Sequence, residues 1–404
     1  MFSKSIKAAL LIGFAAIIPV GQADAKPLKV FILCGQSNME GHAIAKQTFP
    51  AIAKDPKTAD LYKDMVDAEG NPVVCDNVWI SYAYGDFSGN PDGTKTGQLT
   101  SGWGSQHHVE DAWGKIGTEF TFGIYMSKML GEPILLIKNA WGGRSLMRDF
   151  RSPSAGELDD PKWNNSSPVG KYYELMIEHV KNVLADPKAV YPGYDSKEGY
   201  ELAGFVWFQG WNDATGPYPL VNASQGIKDY SEYSRLLACF IRDVRNDLSA
   251  PKMPFVIGVV GHGGEIAEKD KDITKNIKTA RFRAAMAAPA EMPEFKGNVI
   301  NVLTETFYPT ELDPINEKNS AYYQEERALG QERKIGELNG EERKAAMAQL
   351  RADIRAKKEK EMSEDELFLV DHGISNAGFH YYGSAKFFAQ IGKAFAEALV
   401  SPEN

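Results

Sequence analysis

Short apolar runs alternate with longer amphipathic segments along most of this chain. The runs are rich in β-branched and aromatic residues and have the length of buried strands; they cover Leu28–Cys34, Pro133–Lys138, Ala203–Phe208, Phe255–Val260 and Val299–Leu303. Segments with apolar residues at helical spacing separate them or close the chain: Phe120–Leu130, Tyr172–Leu184, Asp229–Asp247 and Phe387–Leu399. Strands that alternate with helices are typical of a parallel sheet covered on both faces. The pattern therefore predicts an α/β fold.

Two kinds of segment interrupt this rhythm. Residues 42–75, 85–112 and 146–170 form long connections, which are often functional in a compact domain and are expected to wall a cleft. Residues 317–366 are dense in Glu, Lys, Arg and Ala, with opposite charges at helical spacing. We predict one or two solvated helices there, and a charged surface hairpin is preferred over a binding module. The whole of 26–404 is expected to form one domain with this insertion.

The first 25 residues are expected to lie outside the fold. Lys4 and Lys7 precede an apolar stretch, Ala8–Val20, which is short for a membrane span, and small residues at 23 and 25 form a cleavage site. The pattern predicts a signal peptide, with an uncleaved anchor as the alternative, and export to a bacterial periplasm or beyond. No membrane span is expected after cleavage.

Composition and charge limit the kinds of partner and bonded group expected for this chain. An apolar content of 43% predicts a packed core, and a net charge of −9 argues against a nucleic-acid partner. Of the three cysteines, Cys34 ends an apolar run and is expected in the core, whereas Cys75 and Cys239 could pair after export, which their spacing does not establish. No Cys or His cluster has metal-ligand spacing, so we expect no metal.

Polar motifs follow three of the predicted strands, and a fourth precedes the last helix. They are Gly35–Gly41, Asn139–Leu146, Trp207–Asp213 and Gly378–Ala385. The carboxyl ends of parallel strands meet at one edge of a sheet, so the first three motifs should converge. Taken alone, Ser37 would most often be a helix cap, His380 a satisfied polar residue and Gly142-Gly143 a turn. Their occurrence together favours a shared site.

The motif Gly-Gln-Ser-Asn-Met at 35–39, with the later motifs in the same order, resembles the SGNH hydrolase superfamily, in its branch of carbohydrate esterases and sialate O-acetylesterase-like proteins. The resemblance implies a three-layer α/β/α sandwich of flavodoxin-like type around a central parallel sheet. It also implies an exported serine esterase that removes acetyl or other acyl groups from a carbohydrate through an acyl-serine, without a cofactor.

The same resemblance assigns roles to single residues. It implies Ser37 as the nucleophile, His380 as the general base, and an oxyanion hole built from Ser37, Gly143 and Asn212. The chemistry agrees, because a serine hydroxyl needs a base to take its proton and the tetrahedral intermediate needs preorganised donors.

The acid that would orient the imidazole is less well defined. Relatives place an aspartate three residues before the histidine, where this chain has Ala377. Asp371 is the nearest upstream carboxylate and is the predicted acid, with Asn376 or a backbone carbonyl as alternatives. Without a charged partner the enzyme would use a Ser–His dyad. His372 is a competing base, but Gly-Phe-His before an amphipathic helix favours His380.

Residues near the motifs are predicted to contact substrate; they are Gln36, Gln209, Arg144 and Trp211. Arg144 could bind a carboxylate or sulfate, or only pair with Asp149 or Glu119. The three tryptophans of the connections and motifs could stack on sugar rings or pack in the core; they are Trp103, Trp141 and Trp211. His107, His108 and His262 are left without a role.

Two other functions remain open at this stage. One is a lipase or thioesterase of the same superfamily, and the other is a carbohydrate-binding homologue that is impaired in catalysis. The missing aspartate at position 377 is the feature that points to the second.

Overall fold

The computed structural model describes residues 26–105, 113–158, 161–163 and 167–400. The predicted signal peptide lies outside the described residues, as do His107 and His108. No helix within the described ranges is both long and apolar enough to cross a bilayer.

A seven-stranded sheet in the order β11-β10-β7-β1-β6-β3-β4 organises the fold. All neighbouring pairs in it are parallel except β3 and β4, which form an antiparallel hairpin at one edge. Two short pairs, β2 with β5 and β8 with β9, lie outside this sheet. The strands are β1 (Leu28–Gly35), β2 (Ala43–Ile44), β3 (Val78–Gly85), β4 (Pro91–Gln98), β5 (Lys115–Ile116), β6 (Ile134–Ala140), β7 (Tyr200–Phe208), β8 (Leu220–Asn222), β9 (Ile227–Lys228), β10 (Phe255–Val259) and β11 (Val299–Leu303).

Helices cover both faces of the sheet. They are α1 (Ser37–Glu40), α2 (Ala45–Lys54), α3 (Ala59–Met65), α4 (Glu119–Leu130), α5 (Lys171–Ala185), α6 (Trp211–Thr215), α7 (Ser231–Asp247), α8 (Thr274–Ala287), α9 (Leu312–Glu332), α10 (Gly340–Glu361), α11 (Glu364–His372) and α12 (Ala385–Val400).

The central strand β1 divides its side chains between two cores. Val30 and Ile32 pack in the core that α5, α7 and α8 cover, whereas Phe31 and Leu33 pack in the core beneath α2, α4 and α12. Successive side chains of a strand point to opposite faces, so a strand buried on both sides must be apolar throughout. This arrangement confirms the predicted three-layer α/β/α fold.

Five strands match the predicted apolar runs, but β3 and β4 were not predicted. Strand β4 reads Pro-Asp-Gly-Thr-Lys-Thr-Gly-Gln and is largely exposed. A polar strand at the edge of a sheet has no apolar alternation to reveal it, and a proline at its first position is tolerated there. The segment 85–112, predicted as a connection, therefore contains half of a hairpin.

The charged segment forms the long helices α9 and α10, followed by α11. They share a small core of their own, which consists of Tyr322, Ile335, Leu350, Ile354 and Met362. Elsewhere in the fold, the three cysteines are free, so Cys75 and Cys239 do not pair.

Candidate active site

Ser37 stands where β1 ends, at the carboxyl edge of the sheet. Gly35 closes the strand against β7, because a Cβ at that position would lie only 2.1 Å from the carbonyl oxygen of Phe208. Ser37 then begins α1 and is 8% exposed. No side chain caps this helix, and Gln36 holds the cap position. The serine is therefore not used as a cap.

The four polar motifs meet in one cleft of about 520 Å³. Each motif contributes residues to its wall, as the convergence of strand ends predicts. The lining includes Ser37 and Glu40 from the first motif, Gly142 and Gly143 from the second, Trp211 and Asn212 from the third, and Phe379 and His380 from the fourth, together with His42, Gly85, Asp86, Phe87, Ser88, Ser105, Lys115, Thr215 and Asn376.

Three hydrogen-bond donors are available beside Ser37. Among the described residues, the backbone N–H groups of Ser37 and Gly143 have no protein acceptor. Asn212 donates one amide hydrogen to the carbonyl oxygen of Gly143 over 2.9 Å, which leaves its second hydrogen for the cleft. Gly143 has φ 72°, a conformation that glycine adopts without strain. The site can thus present donors to a developing oxyanion.

Gln36 fixes the orientation of the Asn212 side chain. Its Nε2 donates to Asn212 Oδ1 over 2.9 Å, and its Oε1 accepts from the backbone N–H groups of Gly210 and Asn212 and from Gln209 Nε2. Gln36 and Gln209 are buried. Both were predicted to contact substrate, but the structure places them beneath the cleft, where they hold the motifs together.

Asp213 locks the second motif onto the third, a role the sequence did not reveal. Its carboxylate accepts hydrogen bonds from the backbone N–H groups of Leu146 and Met147, from Gln209 Nε2 and from the Tyr218 hydroxyl, at 2.6–3.0 Å. Asp213 is fully buried, and burial raises the pKa of its carboxyl. Four donors compensate the removal of this group from water.

Glu40 holds the turn that carries Gly143. Its Oε1 accepts from the backbone N–H of Gly142 over 3.1 Å, and burial raises the pKa of Glu40 to about 7. The segment is anchored from below by the fully buried Lys138, whose ammonium donates to the Glu40 carbonyl over 2.8 Å and to Glu119 Oε2 over 2.7 Å. The segments that carry Ser37 and Gly143 are therefore tied to each other.

His380 has an amide partner and not a carboxylate. Its Nδ1 lies 2.9 Å from Asn376 Oδ1, a contact that requires the hydrogen on Nδ1 and leaves the Nε2 lone pair free. No hydrogen bond joins Ser37 to His380 within the described part of the chain, although both line the cleft.

Asp371, the predicted acid, is not brought to His380. It lies in α11 and forms a bidentate ion pair with Arg355 of α10 at 2.7 and 2.9 Å. Arg355 of the charged insertion therefore binds the carboxylate of Asp371. Asn376, the predicted alternative, contacts His380 instead. The competing base His372 also lies elsewhere, with Nδ1 3.0 Å from the carbonyl oxygen of Gln47.

A second histidine supports the first, and the sequence gave no sign of it. The rings of His42 and His380 are stacked, with centroids 3.8 Å apart and an interplanar angle of 5°. The Ser375 hydroxyl joins the two segments, since it donates to the carbonyl oxygen of Gly383 and accepts from the backbone N–H of Ile44. Burial, followed by the charges of neighbouring groups, lowers the pKa of both imidazoles to about 3.

The loop that carries His380 is pinned at the carbonyl oxygen of Phe379. Asn38 Nδ2 donates to it over 3.2 Å and His262 Nε2 over 2.7 Å. His262 therefore has a positioning role, and burial lowers its pKa to about 3, so it is neutral. Tyr381 and Tyr382 follow with φ of 50° and 61°, a left-handed conformation that costs energy in residues other than glycine.

The structure also shows where the predicted tryptophans and Arg144 lie. Trp103 and Trp141 are 2% exposed and pack in the cores, whereas Trp211 is half-buried and lines the cleft. The Arg144 guanidinium donates to the carbonyl oxygens of Ser88 and Gly89 at 2.7 and 3.0 Å, so it pairs with neither Asp149 nor Glu119.

A similar arrangement of residue types lies in the core and has another role. Ser81 Oγ lies 2.8 Å from His179 Nε2, and His179 Nδ1 lies 2.8 Å from Asn139 Oδ1. All three side chains are buried between β3, β6 and α5. Both ring nitrogens of His179 are thereby paired inside the core, and access to solvent separates the Ser37 cleft from this network.

The four motifs thus meet at one cleft of an α/β/α fold. The family described as carbohydrate esterase, sialic acid-specific acetylesterase matches residues 27–294, which is more than half of the chain. The chain belongs to this family, which assigns it in general to the carbohydrate acetylesterases. No curated protein sequence matches it.

Similar solved structures include a protein from Arabidopsis thaliana (16% identity, 69% of this chain and 86% of that chain, TM-score 0.39). A carbohydrate acetylesterase from Xanthomonas citri is 16% identical over 68% of this chain and 49% of that chain, with a TM-score of 0.37. A carbohydrate esterase family 2 enzyme with a carbohydrate-binding domain from Corynascus thermopiles (Myceliophthora fergusii) is 13% identical over 70% of this chain and 58% of that chain, with a TM-score of 0.28.

Proposed function

We propose that this chain is a serine esterase that removes an acetyl group from a carbohydrate through an acyl-Ser37 intermediate. The observation that carries the proposal is that Ser37 and His380 line one cleft together with Gly143 and Asn212. Nucleophile, base and oxyanion donors are the parts that acyl transfer requires.

Each step follows from the groups in the cleft. His380 Nε2 takes the Ser37 proton as Oγ attacks the ester carbonyl carbon, and the carbonyl oxygen becomes an oxyanion facing the donors at 37, 143 and 212. The intermediate collapses, the bond to the sugar oxygen breaks, and His380 returns its proton to that oxygen. Water, deprotonated by the same imidazole, then attacks the acyl carbon; the bond to Ser37 Oγ breaks, acetate leaves, and His380 returns the proton to Oγ.

Two positioning residues take the place of a catalytic aspartate. Asn376 Oδ1 selects the tautomer with its hydrogen on Nδ1, and the stacked ring of His42 holds the plane of His380. An amide cannot stabilise the imidazolium as strongly as a carboxylate does. The face of a neutral aromatic ring attracts a cation and supplies part of that stabilisation.

A carbohydrate-binding homologue with impaired catalysis is the second candidate. The observation in its favour is that the partner of His380 is Asn376 and that Asp371 pairs with Arg355. The lipase or thioesterase alternative is less favoured, because polar side chains line the cleft beside its aromatic residues; they are Asp86, Ser88, Ser105, Thr215 and Asn376.

Labelling with a fluorophosphonate, followed by mass spectrometry of the peptides, tests the nucleophile. We expect one labelled residue, Ser37, and loss of acetyl-ester hydrolysis in Ser37→Ala. Ser105→Ala is the matched control, since it removes another serine that lines the cleft. A label elsewhere, or full turnover by Ser37→Ala, would refute the proposal.

We also propose that the chain is exported with removal of residues 1–25. The support is the basic start, the apolar stretch and the small residues at 23 and 25. Amino-terminal sequencing of the protein from a periplasmic fraction should give Lys26 as the first residue. An intact Met1 in the cytoplasmic fraction would contradict export.

A further inference from the structure

Phe87 is the most exposed large apolar side chain near the cleft. It lies in the turn between β3 and β4 and is 95% exposed. Covering a hydrated apolar ring with a ligand is favourable, because apolar surface is removed from water. Phe87 lines the cleft that contains Ser37, so a ligand that extends beyond an ester at Ser37 can contact it.

The turn that carries Phe87 is held firmly in place. Asp86 Oδ1 accepts from the backbone N–H groups of Ser88 and Asn90 at 2.8 and 2.9 Å. Arg144 donates to the carbonyl oxygens of Ser88 and Gly89, and its guanidinium lies 4.6 Å from the ring centroid of Tyr172. This arginine, predicted to bind an anionic substrate, instead clamps the turn.

The turn also packs directly on the oxyanion segment. Gly89 has φ 71°, and a Cβ there would lie 1.9 Å from the carbonyl oxygen of Gly142. Only glycine allows this approach. The backbone of the turn at Phe87 is therefore fixed relative to Gly143, the next residue of that segment, and a backbone ordered in advance lowers the entropy cost of binding a ligand.

A second aromatic surface lies on the other side of Ser37. Trp211 and Phe379 line the cleft, with ring centroids 6.2 Å apart and an interplanar angle of 25°. Trp211 follows β7 and Phe87 follows β3, and the strand order between them is β7-β1-β6-β3. Three strand spacings of about 4.8 Å each place the carboxyl ends of β7 and β3 roughly 14 Å apart, with Ser37 at the end of β1 between them.

We infer that the cleft binds an acylated oligosaccharide, with Phe87 stacked on a sugar ring on one side of the ester and Trp211 on a sugar ring on the other. This inference rests on the proposed function and extends it from a carbohydrate ester to a chain of several sugars. The flat faces of sugar rings carry C–H groups that match aromatic faces, and the hydroxyls at their edges suit polar side chains that line the cleft, such as Ser88 and Thr215.

Kinetics on substrates of two sizes test the platform. Phe87→Ala should raise KM for partially acetylated xylo-oligosaccharides by about threefold to tenfold and change kcat/KM for p-nitrophenyl acetate far less, since the small ester offers no sugar ring to Phe87. Phe87→Trp should retain the wild-type KM. Tyr323→Ala is the matched control, because Tyr323 is also an exposed aromatic residue but lies on α9. Equal effects on both substrates, or none on the oligosaccharides, would overturn the inference.

Binding to Ser37→Ala separates this inference from the proposed function. Calorimetry with the same oligosaccharides should show weaker binding when Phe87→Ala is added. Phe87-dependent binding without any hydrolysis by the wild-type chain would refute the esterase and support the platform. Normal hydrolysis with binding that is independent of Phe87 would refute the platform and leave the esterase in place.

Discussion

The imidazole rings of His42 and His380 lie parallel, with their centroids 3.8 Å apart. Two stacked imidazoles repel each other if both are protonated, and burial together with the charges around the cleft lowers the pKa of each to about 3. Both rings are therefore neutral at physiological pH. If His380 accepts the Ser37 proton, the new cation faces a neutral ring, and this pairing is the basis of several predictions.

Asn376, and not Asp371, should orient the base. Asn376→Ala removes the acceptor of the Nδ1 hydrogen and should lower kcat/KM roughly 10²-fold, a part of what a well-positioned base contributes. Asp371→Asn should leave the steady-state kinetics unchanged, since Asp371 pairs with Arg355 in the insertion. The opposite ranking of the two variants would restore Asp371 as the acid.

Restoring a carboxylate at position 376 should make a stronger base. In the wild type, the acid limb of the pH profile of kcat/KM should lie near pH 3 to 4, because His380 is neutral above its lowered pKa of about 3. Asn376→Asp places a carboxylate beside Nδ1 of His380, so the limb should move to higher pH and the plateau should rise. A limb that does not move would show that the group measured there is not His380.

The stacked ring should matter as a flat surface more than as a titratable group. His42→Ala should admit water to His380, lower kcat about tenfold and move the acid limb toward pH 6.5, because burial is the main cause of the lowered pKa. His42→Phe keeps the ring and should retain most of kcat with a smaller shift. Equal losses in both variants would indicate that the imidazole itself takes part.

The Asn212 amide should act in the transition state. Asn212→Ala should lower kcat by about 10²–10³ with little change in KM, the pattern expected when an oxyanion donor is lost. Asn222→Ala on the β8–β9 hairpin is the control with the same side-chain change. A large rise in KM with unchanged kcat would assign Asn212 to substrate binding.

Asp213 should be a stability residue. The Asp213→Asn substitution replaces one acceptor oxygen by an amide NH₂ group, which cannot accept the hydrogen bonds donated at that position. Each hydrogen bond lost should lower the free energy of unfolding by about 1–3 kcal/mol. Urea unfolding measures this loss, with Asp365→Asn as the control because Asp365 forms an exposed ion pair with Lys54. Unchanged stability in Asp213→Asn would show that the second and third motifs are held by other contacts.

The sequence predicted the parts of the molecule that depend on local pattern. Five strands follow from uninterrupted apolar runs, and the convergence of Ser37, Gly143 and Asn212 follows from their positions after strands, whereas His380 was assigned by the family resemblance. The hairpin strand Pro91–Gln98 was not predicted, because an exposed edge strand lacks the alternation of apolar and polar residues that marks a half-buried strand. Asp371 was favoured for its closeness in sequence, but Arg355, remote in sequence, binds it. His42 and Phe87 gain their roles from contacts between distant segments that no spacing encodes.

The clamp of Arg144 on the β3–β4 turn has an evolutionary consequence. One side chain and one glycine attach this turn to the oxyanion segment, whereas Ser37 and His380 are held by separate contacts. The turn connects two strands at the edge of the sheet, where insertions are tolerated. Relatives can therefore exchange this loop and acquire new substrates while the chemical centre stays intact, so divergence within the family should concentrate here.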